Sequence, residues 1–244
     1  MTIEGKVVAI TGGGRGIGRA TAILLASRGA RIVIGARREA EIAAVAGEIE
    51  AAGGRAIYRI TDVTKRADLQ ALVDFACDRL GRLDVLVNNA GIAPISRFDA
   101  LHVHDWDAMI DVNLKGVLYG IAAALPVFGR QKSGHIVNVI SVAGLKVVPT
   151  MGVYGATKNA VRTITEALRQ ESGPNLRVTE ISPGMIATDF ADTITDEATR
   201  SAIRSTADSI AIPADSIARA IAFAIEQPPE VNVGSVVVWP TAQG

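Results

Sequence analysis

Seven short β-branched runs alternate with longer helix-patterned segments along the whole chain, and this alternation restricts the fold more than any other feature. The predicted strands are Lys6–Thr11, Arg31–Ala36, Arg55–Thr61, Leu83–Asn88, His135–Ile140, Arg177–Ser182 and Ser235–Trp239. Between them, helical patterns are predicted over Gly18–Ser27, Glu39–Ala52, Lys65–Leu80, Asp105–Phe128, Val153–Glu171 and Asp215–Glu226. Strands bounded by polar turns, with little polar alternation inside them, suit a parallel sheet covered on both faces. Repeated β-α alternation then dictates right-handed crossovers and an α/β fold with a doubly wound parallel sheet. No low-complexity linker divides the chain, so residues 1–244 read as a single domain.

Composition narrows the partners. At 49% hydrophobic and 20% charged residues, the chain can bury a sizeable core. Lys+Arg and Asp+Glu both number 25, so the formal net charge is zero and no general attraction to nucleic acid or anionic lipid is expected. The single cysteine, Cys77, excludes a disulfide within the chain and any cysteine-cluster metal site, and is expected as a small buried hydrophobe. The opening Met1-Thr2-Ile3-Glu4-Gly5-Lys6 lacks the charged and apolar regions of a signal peptide. No run approaches the roughly 18–20 apolar residues of a membrane span. A cytoplasmic protein is expected.

Two segments depart from the rhythm. The predicted helix Asp105–Phe128 is apolar nearly all round, which implies burial on two sides, by the sheet and by another subunit. The stretch 186–214, rich in Thr, Asp, Ser and Ala, reads as a long irregular insertion after a strand, a candidate lid over a site.

The first strand runs into Thr11-Gly12-Gly13-Gly14-Arg15-Gly16-Ile17-Gly18-Arg19. Its pattern is T-G-x-x-x-G-x-G, with Gly12, Gly16 and Gly18 permitting a tight turn, a close backbone approach and close helix packing. A glycine string between a strand and a helix lets backbone N–H groups and the helix N-terminus cradle a pyrophosphate. The second strand ends Ile34-Gly35-Ala36-Arg37-Arg38, without the acid that would bond the ribose hydroxyls of NAD. Arg37, with Arg15, suits a 2′-phosphate instead, which gives a preference for NADP(H); Arg38 is the expected bystander.

Further motifs fall at strand ends: Asn88-Asn89-Ala90-Gly91, Ser141, and Tyr154-Gly155-Ala156-Thr157-Lys158 opening a helix. Tyr154 and Lys158, four residues apart, share one helix face. A free phenol has a pKa of about 10, and a neighbouring ammonium lowers it toward useful acid–base chemistry. Ser141 can donate to a substrate oxygen as charge develops there. His102, His104, Asp105 and Asp107 imitate a metal-ligand cluster, but Asp105 reads as a helix N-cap and no metal is expected.

Together these residues resemble the short-chain dehydrogenase/reductase family over essentially the whole chain. The motifs appear in order: TGGGRGIG at 11–18, Asp62-Val63, NNAG at 88–91, Asn113, Ser141, Tyr154, Lys158, and Pro183-Gly184 followed by Thr188. The resemblance implies a Rossmann-like, seven-stranded, three-layer α/β/α fold and a catalytic set of Asn113, Ser141, Tyr154 and Lys158. Tyr154 would protonate the carbonyl oxygen, or deprotonate the alcohol, while hydride passes to or from nicotinamide. Asn113 would help hold a water in the proton relay, and Lys158 would also bind the nicotinamide ribose. Gly12, Gly14, Arg15, Gly16, Ile17 and Gly18 would take the phosphates, with Arg37 on the NADP side. Asp62 and Val63 would meet adenine and Asn88 the adenosine side, with Ala90 and Gly91 also binding the cofactor. Pro183 and Gly184 would also bind the cofactor, and Ile186 and Thr188 would meet the carboxamide. Asp62 has a second reading as a cap for the following helix, and Pro183-Gly184 a second reading as a turn. The family also implies a homo-oligomer, a tetramer or a dimer.

The implied reaction is NADPH-dependent reduction of a small-molecule ketone or aldehyde, reversible as an alcohol dehydrogenase. A 3-oxoacyl carrier-protein reductase shares every motif, but such chains usually end in an I-T-G-Q…G-G pattern. This one ends Asn232-Val233-Gly234-Ser235-Val236-Val237-Val238-Trp239-Pro240-Thr241-Ala242-Gln243, loosely similar to the serine/3-hydroxy acid and clavulanate-dehydrogenase-like branch. The substrate pocket is expected from Ala143–Met151, from Met185–Ser205 and from the last residues. These offer Val142, Leu145, Val148, Met151 and Phe190 with few charges, so a moderately apolar carbonyl compound is expected. A non-catalytic NADP(H) sensor or scaffold is the alternative from another class, and the intact Ser141/Tyr154/Lys158 set speaks against it.

Overall fold

The computed structural model describes residues 3–243. Met1, Thr2 and Gly244, and with them part of the opening segment and both ends of the 1–244 domain, lie outside the described residues. The elements in chain order are β1 (Val7–Thr11), α1 (Gly16–Ser27), β2 (Arg31–Ala36), α2 (Glu39–Ala51), β3 (Arg55–Ile60), α3 (Arg66–Leu80) and β4 (Val85–Asn88). Next come α4 (Val103–Met109), α5 (Gly116–Gln131), β5 (Gly134–Val139), α6 (Gly152–Glu171), β6 (Leu176–Pro183) and β7 (Ile186–Ala187). The described chain closes with α7 (Glu197–Ile210), β8 (Ile212–Pro213), α8 (Ala214–Glu226) and β9 (Ser235–Val238). Seven strands form one parallel sheet in the order β3-β2-β1-β4-β5-β6-β9, and β7 and β8 form a separate parallel pair.

Alternation along each strand splits the core in two. Val8 and Ile10 of β1, with Ile32 and Ile34 of β2, pack against Leu25, Ile42 and Ile221 of α1, α2 and α8. Their neighbours Val7, Ala9 and Val33 face the other way, onto Leu69 and Leu72 of α3, Ile121 of α5 and Val161 of α6. Both faces of the sheet are therefore covered, which is the three-layer α/β/α arrangement that near-continuous apolar strands require. After the edge strand β3, the chain crosses back to place β4 on the far side of β1. That reversal opens a crevice at the carboxyl ends of β1 and β4, where ligands of such sheets bind.

Four expectations need correction. The long helix starts at Val103, and a π-helical segment, Ile110–Lys115, joins α4 to α5 in one continuous 29-residue helix. By length and composition that helix could cross a membrane, against the expectation that no run approaches a span. Half of its most apolar stretch is buried in the fold, and its outer side carries the half-exposed Ile110 and Leu118. Asp105 is not the N-cap, which is His102; it lies in the first turn, where its carboxylate accepts the Thr195 hydroxyl at 2.6 Å. Among the described residues no group of three or more His, Cys, Asp or Glu is placed to hold a metal. The insertion 186–214 is not irregular: it contains β7, a 3-10 turn at Asp189–Thr193, α7 and β8. Cys77 is only half-buried, on the edge of the second core, and that burial pushes its thiol up.

Candidate active site

One cavity of about 630 Å³ follows the carboxyl ends of the strands, from Arg37 at one end to Trp239 and Gln243 at the other. The turn after β1 forms its floor through Gly12, Gly14, Arg15, Gly16 and Ile17. Arg15 is the N-cap residue of α1 but makes no side-chain cap bond, so the positive end of the helix opens on the cavity. Gly18 does not line the cavity. A Cβ there would stand 2.3 Å from the Gly12 carbonyl oxygen, so glycine lets α1 close onto the turn. Thr11 and Asn89, outside the motif roles read from the sequence, stitch this turn to the loop after β4. The backbone N–H groups of Asn89 and Ala90 both donate to Thr11 Oγ1 at 3.1 Å, and Asn89 Nδ2 donates to the Thr11 carbonyl at 2.9 Å.

The placement of the two asparagines corrects the sequence reading. Asn88 is buried, donates from Nδ2 to Asn138 Oδ1 at 2.9 Å and does not reach the cavity. Asn89 lines the cavity instead, beside Ala90 and Gly91. Strand alternation decides between them: the last residue of β4 turns its side chain into the core. The second asparagine of the NNAG motif was the available signal.

At the far end, Arg37 lines the cavity and Asp62 lies close to it. Partial burial raises the Asp62 carboxyl, but the Thr64 hydroxyl and N–H, with the Arg37 charge, outweigh it and hold the group below its usual range. The N-cap of α3 is Lys65, so Asp62 is not that helix's cap and faces the cavity together with Val63. Arg38, expected as a bystander, lines the cavity as well and is held there by Glu41 at 2.8 Å. Arg15 lies 3.7 Å from Asp189, both largely exposed.

Mid-cavity, the loop after β5 and the start of α6 bring Ser141, Tyr154 and Lys158 together. Ser141 Oγ accepts the Ala143 N–H at 3.1 Å, which caps the short turn that follows and fixes the serine. Lys158 is 5% exposed, donates to the Val139 carbonyl at 3.1 Å, and its Nζ stands 5.8 Å from the centre of the Tyr154 ring. Burial pushes the Lys158 ammonium down to about 8. Burial likewise pushes the Tyr154 phenol up to about 12, with the hydrogen-bonded Ser141 hydroxyl opposing it. The depression expected from the ammonium is therefore overridden among the protein's own groups, because Tyr154 sits in an apolar cluster and meets Phe190 of the 186–214 insertion edge-on at 5.6 Å. Asn113 lies behind this wall in the π-helical segment. Its amide is fully used by the Ile92 N–H and carbonyl, both at 2.9 Å, and by Thr157 Oγ1, and it does not line the cavity.

Pro183, Gly184, Ile186 and Thr188 line the cavity where β6 gives way to the 186–214 insertion. The substrate side is walled by Ile92, Ile95, Val142, Val148, Met151 and Phe190, with Lys146 at its edge. Ile92 and Ile95, beyond the NNAG motif, were not legible as site residues in the sequence.

Residues 6–199 match the model of the short chain dehydrogenase family. Across its whole length the chain is 49% identical to an uncharacterized oxidoreductase of Listeria monocytogenes, 99% of which is covered. The fold superposes on the closed form of a serine dehydrogenase complexed with NADP+ with a TM-score of 0.90 at 28% identity, covering 98% of this chain and 96% of that one. A 3-ketoacyl-(acyl-carrier-protein) reductase from Brucella melitensis complexed with NADH gives a TM-score of 0.87 at 31% identity, covering 98% and 99%.

Proposed function

The chain belongs to the short chain dehydrogenase family of oxidoreductases, and we propose that it reduces a ketone or aldehyde to the alcohol, reversibly, with NADP(H) as its cofactor. One observation carries this reading: Ser141, Tyr154 and Lys158 meet on a cavity that also receives the uncapped end of α1 and the guanidinium groups of Arg15, Arg37 and Arg38, the last paired with Glu41. The donor set fits a dinucleotide. The helix end and the glycine turn suit its pyrophosphate, and Arg15 and Arg37 suit a 2′-phosphate. Nicotinamide bound there would supply the hydride.

The chain's own groups handle the proton. Burial keeps the Tyr154 phenol protonated at neutral pH, the form in which it can give a proton to a carbonyl oxygen. Ser141 can donate to the same oxygen as negative charge develops on it. Lys158, mostly protonated at pH 7, places a positive charge behind Tyr154 that steadies the phenolate once the proton has left. Asn113 braces the wall by tying Ile92 to Thr157, whose hydroxyl donates to the Tyr154 carbonyl at 2.7 Å. The apolar substrate wall favours a moderately apolar carbonyl compound. The 3-oxoacyl carrier-protein reading uses the same residues, and 3-oxo thioesters tested beside simple ketones separate the two.

NADPH oxidation followed at 340 nm over a carbonyl panel tests the reading and its cofactor together. kcat/KM for NADPH is expected to exceed that for NADH by at least about tenfold, since a charge-assisted hydrogen bond contributes about 1.5–3 kcal/mol. Arg37→Ala should remove most of that preference and leave the NADH value within about twofold. Equal values for the two cofactors in the wild type would refute the arginine assignment.

A further inference from the structure

The lid hangs from the main sheet through two residues, Gly184 and Met185, that separate the end of β6 from the start of β7. Both backbone groups of Met185 are engaged. Its carbonyl accepts the Ile212 N–H at 3.2 Å, on the return strand of the lid, and its N–H donates to Gln243 Oε1 at 2.8 Å. Gln243 belongs to the segment after β9 and lines the cavity. That segment is itself fixed: the Gln243 N–H closes a turn onto the Pro240 carbonyl at 2.9 Å, and the Gly184 N–H donates to the Val238 carbonyl at 2.8 Å. The fit leaves no room for a side chain at residue 184, where a Cβ would stand 2.5 Å from Gln243 Oε1 and 2.8 Å from Pro240 Cδ.

We propose that Gln243 is a positioning residue: by holding the Met185 N–H it sets the hinge from which the lid, and with it Phe190 against Tyr154, is aimed over the substrate side of the cavity. The side chain acts on substrate through Met185 and the lid rather than by touching the reacting atoms. Only the kinetic arm of the test rests on the carbonyl-reductase reading.

Amide exchange on the full-length protein, read on a peptide spanning the Gly184–Met185 hinge, tests the clamp without any turnover. Gln243→Leu should speed exchange of the Met185 amide by about tenfold, the upper range for one net hydrogen bond, with exchange in β6 unchanged. Gln243→Glu, which keeps an acceptor oxygen, should restore protection. In the kinetic arm, Gln243→Leu should raise KM for the carbonyl substrate about five- to tenfold with kcat within about twofold, and Gln243→Glu should bring KM back. The proposal is overturned if the Met185 amide exchanges equally in wild type and Gln243→Leu. It is overturned equally if KM rises without any change in exchange, which would make Gln243 a direct substrate contact, or if exchange rises throughout β6, which would make the role one of general folding. Wild-type protein that turns over no carbonyl compound would sink the functional reading and leave the exchange result to stand by itself.

Discussion

Tyr154→Phe is expected to lower turnover about a thousandfold or more while cofactor binding stays within about threefold of wild type. The size follows from the job assigned to the hydroxyl, since a positioned general acid contributes typically about 10²–10⁴-fold. The selectivity follows from the packing. Tyr154 is 6% exposed, and its ring is held by Phe190 and the surrounding apolar cluster. A phenyl ring fills the same space, so the cavity and the phosphate turn keep their shape. Losing the hydrogen bond to Ser141 costs about 1 kcal/mol, partly offset because a polar group no longer has to be buried. Steady-state rates and fluorescence titration with NADPH check the two halves separately. Residual turnover within tenfold of wild type would contradict the acid role, and a matching loss of NADPH binding would contradict the packing argument.

Lys158→Met should do something less usual: remove activity and make the folded protein more stable at neutral pH. Burial holds the Lys158 pKa at about 8, below its ordinary value of 10.5. A folded-state value below the unfolded one means that the protonated form is disfavoured in the fold. The resulting destabilisation is fully present below pH 8 and fades as pH rises from 8 to 10.5. Its size is about 3 kcal/mol at 1.36 kcal/mol for each tenfold step. Methionine loses the charge-assisted bond to the Val139 carbonyl, worth about 1.5–3 kcal/mol, so the net gain below pH 8 is about 1 kcal/mol. At about 2–4 °C per kcal/mol for a chain of this size, Tm at pH 7 should rise by about 2–4 °C. The gain should vanish before pH 10.5 and turn into a small loss there, because the bond to Val139 is still missing when the burial penalty has gone. A Tm that falls on substitution at pH 7 would show that the ammonium is better accommodated than its burial implies. Turnover should drop about a hundredfold or more, because the phenolate left by proton transfer loses its nearby positive charge.

The stabilising substitution and the inactivating one coincide because function has kept a charged amine where packing alone would place an apolar group. Sequence made that site legible through chemistry: a phenol and an amine four residues apart on a helix have few structural reasons to sit beside a glycine turn. It did not show that burial would outweigh the ammonium at Tyr154, because the apolar cluster around the ring comes from Ile95, Met109 and Phe190, scattered along the chain. The strands were legible for a similar reason. Apolar runs buried on both faces allow one kind of sheet, and every strand of the main sheet lies within two residues of its expected span. Helix α7 was hidden because its sequence, Glu197–Ile210, is polar, and none of its residues is buried. The predicted strand already ended at Asn88, as β4 does; that its side chain turns inward to Asn138, leaving Asn89 to the cavity, followed only from the folded sheet. Gln243 was legible only as part of the C-terminal ending expected in the pocket wall; its bond to Met185 exists only because β9 lies beside β6 in the folded sheet.

The central claim, that this cavity brings a nicotinamide and a carbonyl carbon together over Tyr154, is tested most directly by isotope transfer. Wild-type protein would be given NADPH deuterated on nicotinamide C4, one epimer at a time, with a carbonyl compound drawn from the active part of the panel. One epimer should place a single deuterium on the carbinol carbon of the alcohol, read by mass spectrometry, and the other should place none. Alcohol formed from both epimers without deuterium at that carbon, or no alcohol at all across ketones, aldehydes and 3-oxo thioesters despite tight NADPH binding, would contradict it.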